Sequence, residues 1–221
     1  MQTWAELARA RTAGADDLVL RERAGTFEIR CNGWELMSNR AHASEAALAR
    51  LACARLDRGA RLLIGGLGMG YTLRAALDAL DASASLIVAE LLPEVVAWNR
   101  GLLAPLAGRP LDDARVRVES RDVAAVLAEA PGGFDAVLLD VDNGPEAVML
   151  PGNHRLYAAD GLALIGAALR PGGVLAVWSA DRSPGFEARL TAAGWAWSAA
   201  DVPARGAADD PLHTIYLARQ A

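Results

Sequence analysis

The chain reads as an α/β protein with a doubly wound, mostly parallel sheet. Three observations predict this. Short apolar runs alternate with helix-spaced segments from Arg61 onward. The first run ends in a glycine-rich turn, Gly65-Gly66-Leu67-Gly68-Met69-Gly70. The second, Leu86-Ile87-Val88, closes on an acid, Glu90, which lies twenty residues beyond Gly70 (90 − 70). Strand, glycine turn, helix, strand, acid is the layout of a nucleotide-binding βαβ unit.

The runs at 61–65, 85–89, 115–118, 134–139 and 173–178 are short and apolar enough for strands. Segments at 70–80, 93–103, 122–129 and 160–169 carry helical spacing, with Pro93 at a helix start, where its missing N–H costs nothing. Pro171-Gly172-Gly173 is expected to end the last of these helices. Ahead of the glycine turn, Ala47, Leu48, Leu51, Ala52 and Leu56 mark a helix over 44–56 that Gly59 stops. Trp195-Ala196-Trp197-Ser198 and His213-Thr214-Ile215-Tyr216-Leu217 predict an antiparallel C-terminal edge hairpin. Segments 179–185 and 203–211 read as loops. Residues 1–40 differ from the rest. Strands at 18–23 and 26–31 flank Ala24-Gly25, and Asn32-Gly33 turns the chain into Trp34-Glu35-Leu36-Met37. The predicted organisation is a small N-terminal β appendage, 1–40, and a main domain, 41–221.

Composition narrows the function. At 221 residues and 53% hydrophobic, the chain can bury a full core. A net charge of −5 without a basic cluster argues against nucleic-acid binding. All 22 basic residues are arginine, which excludes Schiff-base chemistry and a Walker lysine. Cys31 and Cys53 show no metal or redox spacing, and three scattered histidines (His42, His154, His213) form no metal motif. They are read as two reduced thiols and as surface or loop histidines, of which His154 merits a test. The first residues lack a signal-peptide pattern and no apolar run reaches spanning length, so a cytoplasmic protein without membrane contact is expected.

Open α/β sheets bind ligands beyond the carboxyl ends of their strands. Reading acids off those ends gives Glu90, Asp122, and the pair Asp140 and Asp142. Such a set would repel a triphosphate and suits a ligand carrying hydroxyls, amines and positive charge. A nicotinamide cofactor fits the glycine turn less well, because Tyr71 stands where the dinucleotide pattern wants a third glycine or alanine. A sulfonium nucleoside such as S-adenosylmethionine fits better. Glu90 can take its ribose hydroxyls and Asp122 its adenine amine, although Asp122 also suits a helix N-cap. Gly65, Gly66, Gly68 and Gly70 form the loop, with Leu91 and Val123 beside the two acids.

These residues resemble the spermidine synthase (polyamine aminopropyltransferase) group, a branch of the Rossmann-like class I methyltransferase fold. The resemblance runs through the β appendage, the glycine loop, Ala89-Glu90-Leu91-Leu92-Pro93, Phe134-Asp135-Ala136-Val137-Leu138-Leu139-Asp140 and Arg170-Pro171-Gly172-Gly173. It implies S-adenosylmethionine or its decarboxylated form as co-substrate, no metal, a small-molecule acceptor and a homodimer. It also implies that Glu90 holds ribose, Asp122 adenine, and Asp140 lies beside the reacting amine. Asp140 and Asp142 are the catalytic candidates, orienting a nucleophile and taking its proton. Asp142 also suits plain turn chemistry in Asp-Asn-Gly-Pro.

The chain departs from the group in two places. Spermidine synthases carry an aspartate in the glycine loop for the donor's ammonium, where this chain has Leu67, Gly68 and Met69. A tyrosine and a histidine or glutamine precede a glutamate in the group's first helix, where this chain has Ala43 and Ser44 before Glu45. Losing the aspartate favours the intact zwitterionic donor by about 1–3 kcal/mol. The expected reaction is therefore methyl transfer to a small amine or hydroxyl. Aminopropyl transfer, and adenosyl-ligand binding without catalysis, are the alternatives. Trp34 and Trp178 are candidates to line the acceptor pocket.

Overall fold

The computed structural model describes residues 3–12, 14, 16–141, 143–146 and 151–220. The chain divides into two compact units, Met1–His42 and Ala43–Ala221.

The first unit is a four-stranded antiparallel meander of β1 (Ala5–Arg11), β2 (Asp17–Arg23), β3 (Thr26–Cys31) and β4 (Trp34–Ser38). Ala24-Gly25 and Asn32-Gly33 all have positive φ, as two-residue hairpin turns that follow strand twist require. Leu18, Leu20, Ile29 and Cys31 are buried. β1 has no signal in the sequence, because its alanines are poor strand formers and most of it lies exposed at the sheet edge.

The second unit opens with α1 (Ala43–Cys53). Strands and helices then alternate as β5 (Arg61–Gly65), α2 (Tyr71–Ala79), β6 (Ser85–Ala89), α3 (Pro93–Arg100), β7 (Val116–Glu119), α4 (Val123–Ala128), β8 (Phe134–Leu139), α5 (Ala159–Ala168) and β9 (Leu169–Ser179). The chain finishes with α6 (Pro184–Ala192), β10 (Trp195–Pro203) and β11 (Leu212–Gln220). The seven strands lie in the order β10-β11-β9-β8-β5-β6-β7. Pairs among β5 to β9 are parallel, while β11 runs antiparallel to both β9 and β10. This is the doubly wound sheet with an antiparallel edge that the alternation predicts. Its central strands are buried on both faces, so Leu62, Leu63 and Ile64 form an unbroken apolar run.

Three local expectations are corrected. Arg170-Pro171-Gly172-Gly173 does not end a helix. It lies within β9, where Phe134 pairs with Leu169 but Ala136 pairs with Val174, so the segment bulges out of register. Proline cannot donate to the ladder and Gly172 has φ +78°, which together force the irregularity. The segment 179–185 is not all loop, because α6 begins at Pro184. The Ser183 hydroxyl caps it by accepting from the Phe186 N–H at 3.0 Å. α3 stops at Arg100, before Gly101, and not at residue 103.

Two glycines separate backbone strain from steric exclusion. Gly172 has open space around a would-be Cβ, so Gly172→Ala should cost only the left-handed penalty of about 1–2 kcal/mol. Gly66 shares the positive φ, but a Cβ there would lie 2.2 Å from the Asp140 carbonyl oxygen. Gly66→Ala is therefore expected to destabilise the fold distinctly more in urea unfolding. Equal costs would contradict the steric reading.

Candidate active site

The sheet reverses its winding between β5 and β8. From β5 the chain proceeds outward through β6 and β7, then returns to place β8 on the other side of β5. A crevice opens at the carboxyl edge of such a crossover. The glycine loop follows β5 at this edge, Glu90 follows β6, Asp122 lies beyond β7, and Asp140 follows β8.

Three of the loop glycines are required by the chain's own packing. A Cβ on Gly65 would meet Val123 Cγ2 at 3.0 Å and Leu139 Cδ2 at 3.1 Å, and Gly66 abuts the backbone of Asp140. Gly70, at φ +85°, precedes α2 and leaves room for Pro110 and Asn99. Gly68 also has positive φ. Leu67 and Met69 are buried beneath the loop. Asn99 of α3 ties the loop down, its side-chain amide donating to the Gly68 carbonyl at 2.8 Å and the Val95 carbonyl at 2.9 Å. No sequence pattern pointed to Asn99.

Glu90 is 8% exposed. Its carboxylate accepts from the Leu67 N–H and the Leu92 N–H, each at 2.9 Å. Burial pushes its pKa up, and the backbone donors, Leu92 foremost, offset part of that rise. Leu91 beside it is half-exposed at the rim. Asp122 is the N-cap of α4, accepting from the Ala124 N–H at 2.8 Å, and its other oxygen pairs with Arg155. One of the acids read from the strand ends is thus already neutralised. Val123, next to it, is buried against Gly65.

The least expected part of the site surrounds Asp140. Its carboxylate accepts from the Thr72 hydroxyl of α2 at 2.5 Å. The same hydroxyl is 3.3 Å from the Glu45 carbonyl oxygen, so α1 brings a second acid to this corner. Burial raises Asp140 to about 6, against the Thr72 hydrogen bond. Burial, reinforced by the charge on Asp140, raises Glu45 to about 8. Burial opposes ionisation of both acids, and the charge of Asp140 further opposes that of Glu45. Behind Glu45, the Ser44 hydroxyl is fully buried. It lies 2.8 Å from Glu45 Oε2 and 2.9 Å from His213 Nδ1, and it accepts from Trp178 Nε1 at 3.0 Å.

The structure thus brings Glu90, Asp140 and the glycine loop to one edge and adds Glu45, Ser44, Thr72 and His213. His213, read from sequence as a surface or loop residue, packs edge-on against Trp178 with ring centroids 4.8 Å apart. Trp178 is buried and spends its N–H on Ser44. His154 is exposed on a short 3-10 helix, Pro151–Tyr157. Trp34 and His42 belong to the other unit. Asp142 lies outside the described residues. Among the described residues no group of three or more His, Cys, Asp or Glu could hold a metal ion, and no helix is long and apolar enough to cross a membrane. Cys31 and Cys53 are both buried, and burial pushes the Cys53 thiol up to about 12.

Glu45 generates a stability prediction. Its folded pKa lies above that of the unfolded chain, so between about pH 4.5 and 8 the native state holds a proton that the unfolded state lacks. Its contribution is complete below that window and is lost as pH rises through it. Glu45→Gln should flatten the decline in urea stability between pH 5 and 9 while leaving the acid side unchanged. An identical decline in the variant would place the burial cost elsewhere.

Comparison with known proteins agrees with this geometry. No model of a protein family matches the chain. Polyamine aminopropyltransferase 2 of Pseudomonas aeruginosa is 35% identical over 120 residues, 52% of this chain and 32% of that protein. The polyamine aminopropyltransferase of Mycobacterium tuberculosis is 36% identical over 119 residues, 52% of this chain and 22% of that protein. The matched regions thus span about a third and a fifth of those relatives. Among solved structures, the spermidine synthase of Thermotoga maritima superposes with a TM-score of 0.77 at 15% identity, covering 98% of this chain and 73% of that one. A spermidine synthase in complex with the transition-state analogue AdoDATO gives 0.76 at 15% identity, covering 98% and 72%. These matches favour the aminopropyl-transfer alternative over methyl transfer, which none of them supports. Over half its length the chain is thus similar in sequence to polyamine aminopropyltransferases, and its fold is similar to that of spermidine synthases.

Proposed function

We propose that this protein is a transferase of the aminopropyltransferase kind, moving a group from decarboxylated S-adenosylmethionine to a small amine. The observation that carries the reading is the acid pair Glu45 and Asp140 at the β5/β8 crossover, in a chain similar over half its length to polyamine aminopropyltransferases. The decarboxylated donor ends in a bare ammonium and the acceptor arrives as one. Both need negative charge nearby, and a zwitterionic donor does not.

In this reading Glu90 accepts hydrogen bonds from the ribose hydroxyls, and the loop of Gly65, Gly66, Gly68 and Gly70 passes beside the nucleoside. Asp122 acts at the adenine end through the backbone it fixes as an N-cap, with Leu91 and Val123 flanking. Leu67 and Met69 lie in the core, so the glycine loop supplies no charge for the donor's ammonium. Asp140 and Glu45 supply it from the opposite side. The transfer itself is an in-line displacement. The acceptor nitrogen loses a proton to a carboxylate, its lone pair forms the new C–N bond, and the C–S bond breaks with its electrons going to sulfur. The donor is already activated, so the protein's work is alignment and proton removal. Asp140, at the end of β8, takes the proton, and Asp142 is proposed as a second acid. Assembly as a homodimer in the cytoplasm belongs to the same proposal.

Calorimetry separates the donors. The decarboxylated form should bind at least tenfold more tightly than S-adenosylmethionine, and the reverse order would return the protein to methyl transfer. Asp140→Asn should lower turnover about 10²–10⁴-fold and also weaken binding of the decarboxylated donor, whose ammonium it is proposed to hold. Full activity in that variant would remove Asp140 from the chemistry.

A further inference from the structure

The Ser44 hydroxyl has more partners than it has freedom to serve. Trp178 Nε1–H can only donate, so it occupies one of the two lone pairs on Ser44 Oγ. One lone pair and one hydrogen remain for Glu45 Oε2 and His213 Nδ1. An ionised Glu45 can only accept, so Ser44 must then donate to it and His213 must donate from Nδ1. If instead His213 carries its hydrogen on Nε2, Nδ1 accepts from Ser44 and Glu45 must hold a proton on Oε2. An ionised Glu45 and an Nε2–H tautomer of His213 are mutually exclusive.

We propose that Ser44 and His213 form the proton exit of Glu45, a conduit that discharges the acid when a cationic amine settles beside Asp140. The steps balance. Glu45 Oε2–H passes its proton to Ser44 Oγ, the Ser44 hydrogen passes to His213 Nδ1, and the ring releases its Nε2 proton to water. Glu45 is left ionised with Ser44 donating to it, and His213 donates from Nδ1. No group has to rotate, and one proton leaves the protein. Ser44 is fully buried, whereas His213 is only partly so, which places the outlet at the histidine. Ser44 and His213 are positioning residues that act through Glu45.

The surroundings suit the direction of flow. Glu45 faces Asp140 from the end of β8 and the Tyr71 hydroxyl from the start of α2. The negative charge of Asp140 keeps the proton on Glu45 until a cation compensates it. Burial pushes the His213 pKa down and so disfavours its charged form, against the attraction of Asp181 in the segment after β9. A neutral ring is required of a group that must receive a proton and pass it on. The use assigned to the conduit rests on the proposed amine substrate, but the conduit does not.

The test reads the two separately. Ring-nitrogen NMR of His213, followed with the Glu45 carboxyl signal from pH 5.5 to 9.5, needs no ligand. The Nε2–H form should give way to Nδ1–H as Glu45 ionises, and Ser44→Ala should uncouple the two. Ser44→Thr, which retains the hydroxyl, should keep them coupled and serves if the alanine variant misfolds. An Nε2–H ring persisting beside an ionised Glu45 would overturn the proposal. Stopped-flow mixing with an aliphatic diamine and a pH-indicator dye should show about one proton released on binding, at a rate that falls several-fold in His213→Gln. Absence of diamine binding with the NMR coupling intact would refute the proposed substrate and leave the conduit standing. An undiminished release rate in His213→Gln would refute the conduit as the route.

Discussion

The arrangement depends on one close approach, where the backbone of Gly66 passes against that of Asp140. The Gly66 N–H donates to the Ala89 carbonyl and the Asp140 N–H to the Gly65 carbonyl, each at 2.9 Å. The ends of β6, β5 and β8 are thereby stitched at the point where the sheet changes winding direction. A side chain at residue 66 would separate them. The glycine loop is thus a structural joint first, and whatever ligand lies over it uses a surface that the joint has already shaped. Asn99 holds the outer side of the same joint, which explains why a polar side chain is buried in α3.

Acids gathered at this joint are treated in different ways by their surroundings. Asp122 has an N-cap bond and an arginine, and is accounted for before any ligand arrives. Glu90 is stripped of water but given two backbone donors, a state that tolerates its charge and orients the carboxylate. Asp140 accepts from the Thr72 hydroxyl and Glu45 from the Ser44 hydroxyl and its own backbone, and the charge of Asp140 opposes ionisation of Glu45. That opposition leaves a place where an external cation improves the electrostatics.

Much of this was legible in the sequence. Alternating apolar runs identified β5 to β9 and their helices, because buried parallel strands must be continuously apolar. Glu90, Asp122 and Asp140 could be read from their place after strand ends. Elements without a periodic signal escaped, namely alanine-rich β1, the bulge in β9, and α6, marked only by Ser183-Pro184. Ser44 and His213 escaped for another reason: they are 169 residues apart and meet only because α1 packs against β11. Residues 67–69 offer the donor no acid, whereas Glu45 brings one to the site from α1.

Each compact unit conceals a single thiol, Cys31 in the antiparallel meander and Cys53 in α1 of the larger unit. Neither sulfur is accessible while its own unit is closed. An alkylating reagent therefore reaches each cysteine only through an opening of the structure around it. The molecule consequently contains two built-in reporters whose labelling rates, resolved by peptide mass, would time the breathing of the structure around each of them.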